Sequence, residues 1–248
     1  MRSAEWKHGE GKRSHTVSHD TEGLLNYGGI EGTIMHTSFL ERPGHRMVVK
    51  RFEILHVSNA AAARKISRQR AELAVVRYTF LKQLGIPVPT TYRLHATEPE
   101  VIMTDLSRNN TKRVLTANNE LNNGEQYSTD MLSEAQIESI IDTIKGIAAR
   151  ASHKGIHIGG DAYFFVTPRT PSDEVDVYIA DYGGCIQFSA RDEDEVEKTY
   201  QETLRTARKT LSELFKRTTP LSKEQIRDLL DDHAFPRPIP DIWVPDAI

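Results

Sequence analysis

A β-type run at residues 175–180 ends in Asp181-Tyr182-Gly183-Gly184, and this junction constrains the fold more than any other stretch of the chain. A strand that stops on Asp-x-Gly presents a carboxylate at the end of a sheet, because glycine lets the backbone turn away at once. A second apolar run at 163–166, after a Gly159-Gly160-Asp161 turn, reads as another strand.

Upstream the pattern alternates between strand and helix. Gly29, Gly32 and Pro43-Gly44 punctuate residues 28–52, which read as two strands, the second being Met47-Val48-Val49-Lys50 with its terminal cation. Residues 59–84 read as a helix, opened by four alanines and carrying Leu73, Val76, Phe80 and Leu84 at spacings of three and four. Gly85, Pro87 and Pro89 end it. Short strands are expected at 91–96 and 101–103. Ser133-Glu134-Ala135-Gln136 resembles a capping box that opens a helix to about Ser152, with Ile137, Ile140, Ile141, Ile144 and Ile147 on one face. The last quarter is helical over about 193–217 and 222–232.

Composition narrows the function classes. A chain of 248 residues suits one large domain or two compact lobes. Its net charge of −3 gives no reason to expect nucleic acid, and no apolar run approaches a membrane span. The lone Cys185 excludes an internal disulfide and a cysteine-rich metal site. His8, His15 and His19 have a spacing that fits no compact metal site. The polar N-terminal residues argue against the usual secretory signal, and the expected location is cytoplasmic.

Lys50, Glu72 in the first helix and Asp181, in that order behind a Gly-rich segment, resemble the parts of the protein-kinase-like superfamily, nearest the small atypical and aminoglycoside phosphotransferase-like kinases. The resemblance covers about residues 28–184. It implies an α+β, bilobal fold with a small β-rich N-lobe and a mainly helical C-lobe. The implied division is 1–22 as a disordered arm, 23–106 as N-lobe, 107–129 as a linker excursion and 130–248 as C-lobe. It further implies ATP and Mg²⁺ as cofactors. Lys50 would grip the phosphates, and Glu72 would hold Lys50, although Arg70 and Arg77 lie near enough to pair with that glutamate. Gly29 and Gly32 would belong to the phosphate-covering loop, where Tyr27 replaces the family's first glycine. A plain hairpin turn explains the same glycines. The segment with Met103 and Asp105 resembles the adenine-binding hinge. Asp181 would bind the metal, with Tyr182 standing where the family carries Phe.

The catalytic loop departs from the family. His-x-Asp followed five residues later by Asn is the family pattern, whereas this chain reads Ser152-His153-Lys154-Gly155-Ile156-His157-Ile158-Gly159-Gly160-Asp161. Aligning His157 with the motif histidine removes both the aspartate and the asparagine. Aligning Asp161 with the aspartate keeps a displaced base but leaves no asparagine for metal. His153 and His157 are read as structural. The family's long activation segment is missing beyond Gly184. The leading expectation is transfer of the ATP γ-phosphate to a hydroxyl acceptor, protein or small molecule. The alternatives are a pseudokinase acting as a nucleotide-binding or structural interaction module, and transfer of a nucleotidyl group.

Overall fold

The computed structural model describes residues 2–7, 14–29, 32–39, 46–52, 59–108, 111–117, 132–170, 172–183, 186–188 and 193–230. In order, its strands and helices are β1 (Arg2–Lys7), β2 (Ser14–Gly29), β3 (Gly32–Phe39), β4 (Arg46–Phe52), α1 (Ala60–Gln83), β5 (Tyr92–Leu94), β6 (Glu100–Thr104), β7 (Lys112–Leu115), α2 (Glu134–Ser152), β8 (Ile156–Ile158), β9 (Tyr163–Pro168), β10 (Asp176–Ile179), β11 (Ile186–Phe188), α3 (Glu193–Thr218) and α4 (Lys223–Leu229). The chain divides into two units, one formed by residues 1–78 and 89–111, the other by 79–88 and 112–248. This boundary differs from the expected break at 106, since the last turn of α1 and the strand β7 belong to the second unit. Residues 118–129 of the expected linker lie outside the described residues.

Unit one is an antiparallel sheet in the order β1-β2-β3-β4-β6-β5. The expected arm at 1–22 is here strand β1 and the first half of β2, paired from Arg2↔His19 to Lys7↔Ser14. Thr16, Val17 and Thr21 are β-formers that the histidines and serines around them obscure. Across β4 and β6, Val49 faces Ile102 and Met47 faces Thr104. Met47, Val49 and Ile102 form a buried cluster. Alternation puts Val48, Lys50 and Phe52 on the other face. Tyr92 faces Met103 across the β5–β6 ladder and stacks on Tyr78 of α1 at 5.1 Å, so α1 packs on the Lys50 face.

Helix α1 starts on Asn59, whose side chain accepts from the backbone N–H of Ala61 at 3.0 Å and Ala62 at 3.1 Å. Its buried positions are Ser67, Ala71, Ala74, Tyr78 and Leu81, while Leu73 and Val76 are 46% and 62% exposed. Of the expected apolar face, Leu73 and Val76 are therefore turned outward, whereas Leu84 just past the helix is fully buried. Two arginines tie the helix to the β5–β6 turn: Arg68 donates to the carbonyls of His95 and Glu98, and Arg64 to the Glu98 carboxylate at 3.0 Å. His95 Nδ1 accepts from the backbone N–H of Glu98 at 3.0 Å.

Unit two holds the three-stranded sheet β10-β9-β7 and the pair β11-β8, all antiparallel. The end of α1 falls in this unit. Gly85, at φ +67°, donates to the Lys82 carbonyl while Ile86 donates to Leu81, so a left-handed glycine closes the helix as expected. The Gly85 carbonyl accepts from Arg150 of α2 at 2.7 Å.

Helix α2 forms as its sequence reads. Ser133 and Gln136 make both bonds of the capping box. The five isoleucines are all buried, each contributing about 1.5–3 kcal/mol by transfer from water. Gln136 also donates to the carbonyls of Ser172 and Glu174, holding the β9–β10 connection. Gly155, at φ +65°, turns the chain from α2 into β8. On α3 the buried positions Tyr200, Leu204, Ala207, Leu211 and Leu214 recur at threes and fours. The Ile158 N–H donates to the Thr203 hydroxyl at 3.3 Å, tying β8 to α3.

Candidate active site

The candidate residues of unit two stand on one hairpin. Strands β9 and β10 pair in register from Asp176↔Val166 to Ile179↔Tyr163. One step beyond, the Ala180 N–H donates to the Ala162 carbonyl at 3.1 Å. The ladder stops there, and Asp161 and Asp181 lie just beyond it on the two segments. Asp161 sits in a single 3-10 turn, Gly160–Ala162, and is exposed, whereas Asp181 is half-buried. The backbone ladder thus brings two carboxylates to one end of one strand pair.

Both turns are held firmly. Asp181 Oδ1 accepts from the Gly183 N–H at 3.1 Å, the local bond expected of an Asp-x-Gly turn. Tyr182 is fully buried, and its hydroxyl donates to the Ile179 carbonyl at 2.5 Å. The aromatic residue between Asp181 and Gly183 is therefore an anchor that fixes the carboxylate's position. Gly160 packs directly against α3: a Cβ there would lie 2.1 Å from the Thr210 hydroxyl oxygen. Glycine at 160 is a requirement of close approach, a role beyond the turn preference legible in the sequence.

His157 acts as a tether. Its Nε2 lies 3.2 Å from the Thr206 hydroxyl, which donates its own proton to the Glu202 carbonyl at 2.6 Å. The hydroxyl therefore accepts, and the imidazole carries its proton on Nε2. Burial holds the His157 pKa below its ordinary value, against an opposing pull from Glu202. His153 is the exposed C-cap of α2. Cys185 and Gly184 lie outside the described residues.

In unit one, Lys50 faces Val101 on β6 and is 6% exposed, with Nζ 5.3 Å from the Phe52 ring centroid. A lysine so enclosed on a strand is unusual on burial grounds alone, since solvated strand-end lysines are the rule. Glu72 has a different partner from the one expected. Its carboxylate accepts from Arg68 Nε at 3.0 Å, one helical turn away, and its side chain is 51% exposed. Neither Lys50, Arg70 nor Arg77 takes that place. The cause is helix phase: Glu72 follows the buried Ala71 and points about 100° away from it.

Gly29 and Gly32 are partners across β2 and β3, closing a hairpin around residues 30–31, which lie outside the described residues. Gly32 also faces Phe52, and position 34 faces Lys50, so one strand pairing links the glycines to the lysine. Met103 is an interior position of the sheet, opposite Val48 and Tyr92. Its backbone lies between strands and not at an edge. After β6, Asp105, 4% exposed, accepts from the Ser107 N–H at 2.8 Å, and Arg108 adopts φ +47°. Asp105 is a turn residue, and its carboxylate serves its own loop.

Among the described residues no group of three or more His, Cys, Asp or Glu is placed to hold a metal. Magnesium needs fewer protein ligands, because phosphate oxygens and water complete its shell. Two aspartates just past the same end of a strand pair fit that demand. No helix among the described residues is long and apolar enough to cross a membrane.

The mixed α+β architecture is similar to a kinase fold. Among solved structures, the chain is similar to Rio2 kinase from Chaetomium thermophilum in its ADP/Mg²⁺-phosphoaspartate complex, with a TM-score of 0.54 and 13% sequence identity. The match covers 85% of this chain and 60% of that one. No protein-family model matches the sequence, and no curated protein matches it. The likeness is one of fold.

Proposed function

We propose that the protein is an ATP- and Mg²⁺-dependent phosphotransferase that moves the γ-phosphate to a hydroxyl acceptor. The observation that carries this reading is that Asp161 and Asp181 lie just past the same end of the β9–β10 strand pair. Phosphoryl transfer is mostly positioning and charge neutralisation. Asp181 would hold the metal, which when bound neutralises charge on the phosphates. Lys50, enclosed on its strand, would meet the phosphate oxygens. Asp161, exposed beside the metal carboxylate, would orient or deprotonate the acceptor. Rio2 kinase, which shares the fold, forms its phosphoaspartate complex with ADP and Mg²⁺, and this supports the choice of cofactors.

The shared strand end also favours a second role for Asp161, as another carboxylate on the same metal, in place of the missing asparagine. The two roles separate in Asp161→Asn. A base leaves Mg²⁺-dependent ATP binding intact while turnover falls; a metal ligand loses both.

A second reading, a nucleotide-binding pseudokinase, draws on Glu72, which is engaged with Arg68 and half exposed. The experiment that divides the readings is a thermal-shift titration with ATP, with and without Mg²⁺, on wild type and Asp181→Ala. Binding to the native state raises Tm by mass action. A metal-dependent rise that disappears in Asp181→Ala, together with phosphate transfer or release from ATP, is the expected result. A metal-dependent rise without turnover supports the pseudokinase. No rise under either condition removes the nucleotide reading.

A further inference from the structure

Among the described residues, the large hydrophobic side chains that stand exposed are Ile66, Leu73 and Val76, at 38%, 46% and 62%, and all three lie on α1. Scattered apolar residues on a surface need no explanation, but three on one helix at i, i+7 and i+10 do. In heptad terms Ile66 and Leu73 are a positions and Val76 is a d position, with Gln69 at the other d. They form a narrow seam about 15 Å long within unit one. The opposite side of the helix is already committed to the sheet through Ser67, Ala71, Ala74 and Tyr78.

Charge along the seam has one sign. Helix α1 carries Arg64, Lys65, Arg68, Arg70, Arg77 and Lys82 against the single acid Glu72. Glu72 is neutralised by Arg68, and Arg64 is paired with Glu98. Lys65 and Arg70 occupy the flanking g and e positions around Ile66. Both are exposed, and neither has a partner among the described residues. At these positions charge chooses the partner.

We infer that this face of α1 docks an acidic amphipathic helix of a partner protein, with aliphatic residues on its seam and Glu or Asp flanking them. A second copy of this chain suits the face poorly, because like helices would set Lys65 and Arg70 against their own kind. A membrane surface suits it no better: the seam is one side chain wide, carries no exposed aromatic residue, and belongs to a helix whose other face is buried in its own sheet.

The test uses the full chain and a synthetic helical peptide of about three heptads, with Leu at a and d and Glu at e and g. Fluorescence anisotropy should give saturable binding, while the same peptide with Lys at e and g does not bind. Leu73→Asp should weaken the Glu peptide by about tenfold or more. The double variant Lys65→Glu/Arg70→Glu should lose the Glu peptide and gain the Lys peptide, an exchange that a misfolded variant cannot produce. Equal binding of both peptides, or of neither, overturns the proposal. So does a concentration-dependent dimer in sedimentation that Leu73→Asp abolishes, which assigns the face to a second copy. Binding to phosphatidylserine-containing vesicles that Leu73→Asp abolishes assigns it to a membrane.

Discussion

The two units treat their kinase-like residues differently. In unit two, Asp161 and Asp181 lie just past one end of a strand ladder, two steps beyond the paired Ile179 and Tyr163. In unit one, the relation of Lys50 to Glu72 depends on the rotation of α1, whose buried side carries Ser67, Ala71 and Ala74. Glu72, one residue past Ala71, turns outward to Arg68. Order along a chain predicts contact where a ladder carries the residues. Where a helix carries them, its buried face decides.

Turnover breaks or sharpens this comparison most directly. Asp181→Asn and Lys50→Met should each lower ATP turnover by more than about a hundredfold, beyond the range typical of residues that only support a metal ligand. Glu72→Gln should change it by less than about threefold, since an exposed i,i+4 ion pair is worth only about 0.3–0.5 kcal/mol. A loss with Glu72→Gln as large as with Lys50→Met would mean that α1 rotates in the working state, and the contrast between the units would fall.

The rigidity of the unit-two hairpin has its own test. Gly160→Ala drives a methyl group into Thr210, and overpacking of this kind costs about 1–3 kcal/mol. Urea unfolding should show that loss, and Gly160→Ala combined with Thr210→Ala should recover most of it, because the two sites share one contact. Equal losses in the single and double variants would show that the turn is not held against α3. Gly85→Ala, at φ +67°, should cost about 1–2 kcal/mol through backbone strain, and the Arg150 bond to its carbonyl does not relieve that.

Much of this was legible in the residues. Ser133 and Gln136 announce α2, and its isoleucines mark the buried side because a large core-facing stripe is the simplest helical pattern. Gly85 and the Asp181 turn are equally local signals. The strands at 163–166 and 175–180 were visible, but that they pair and bring Asp161 and Asp181 to one end depends on register, which two strand patterns alone do not state. Helix α1 misled for a physical reason: much of its core face is serine and alanine, while Leu73 and Val76 face solvent. The pairing of β1 with β2 was hidden by histidine- and serine-rich text. The exclusion of Met103 from an edge required knowing that β6 lies between β4 and β5.

The smallest expected effect concerns pH and the His157 tether. Burial lowers the folded-state pKa of His157 from its ordinary 6.5, and Arg205 acts in the same direction, while Glu202 opposes both. The unfolded chain therefore binds a proton at this position more readily than the folded one. Stability from this group is complete above about pH 6.5 and is lost as pH falls from there through the lowered folded value, since protonation must charge a partly buried ring. The Nε2 proton is present in both forms, so the bond to Thr206 survives and the loss is one of desolvation. His157→Gln keeps a donor for Thr206 and removes the titration. Urea midpoints at about pH 7.5 and 5.5 should therefore differ less in the variant than in wild type. An unchanged difference would place the acid sensitivity elsewhere, and the unit-two hairpin would owe nothing to the protonation state of its neighbouring strand.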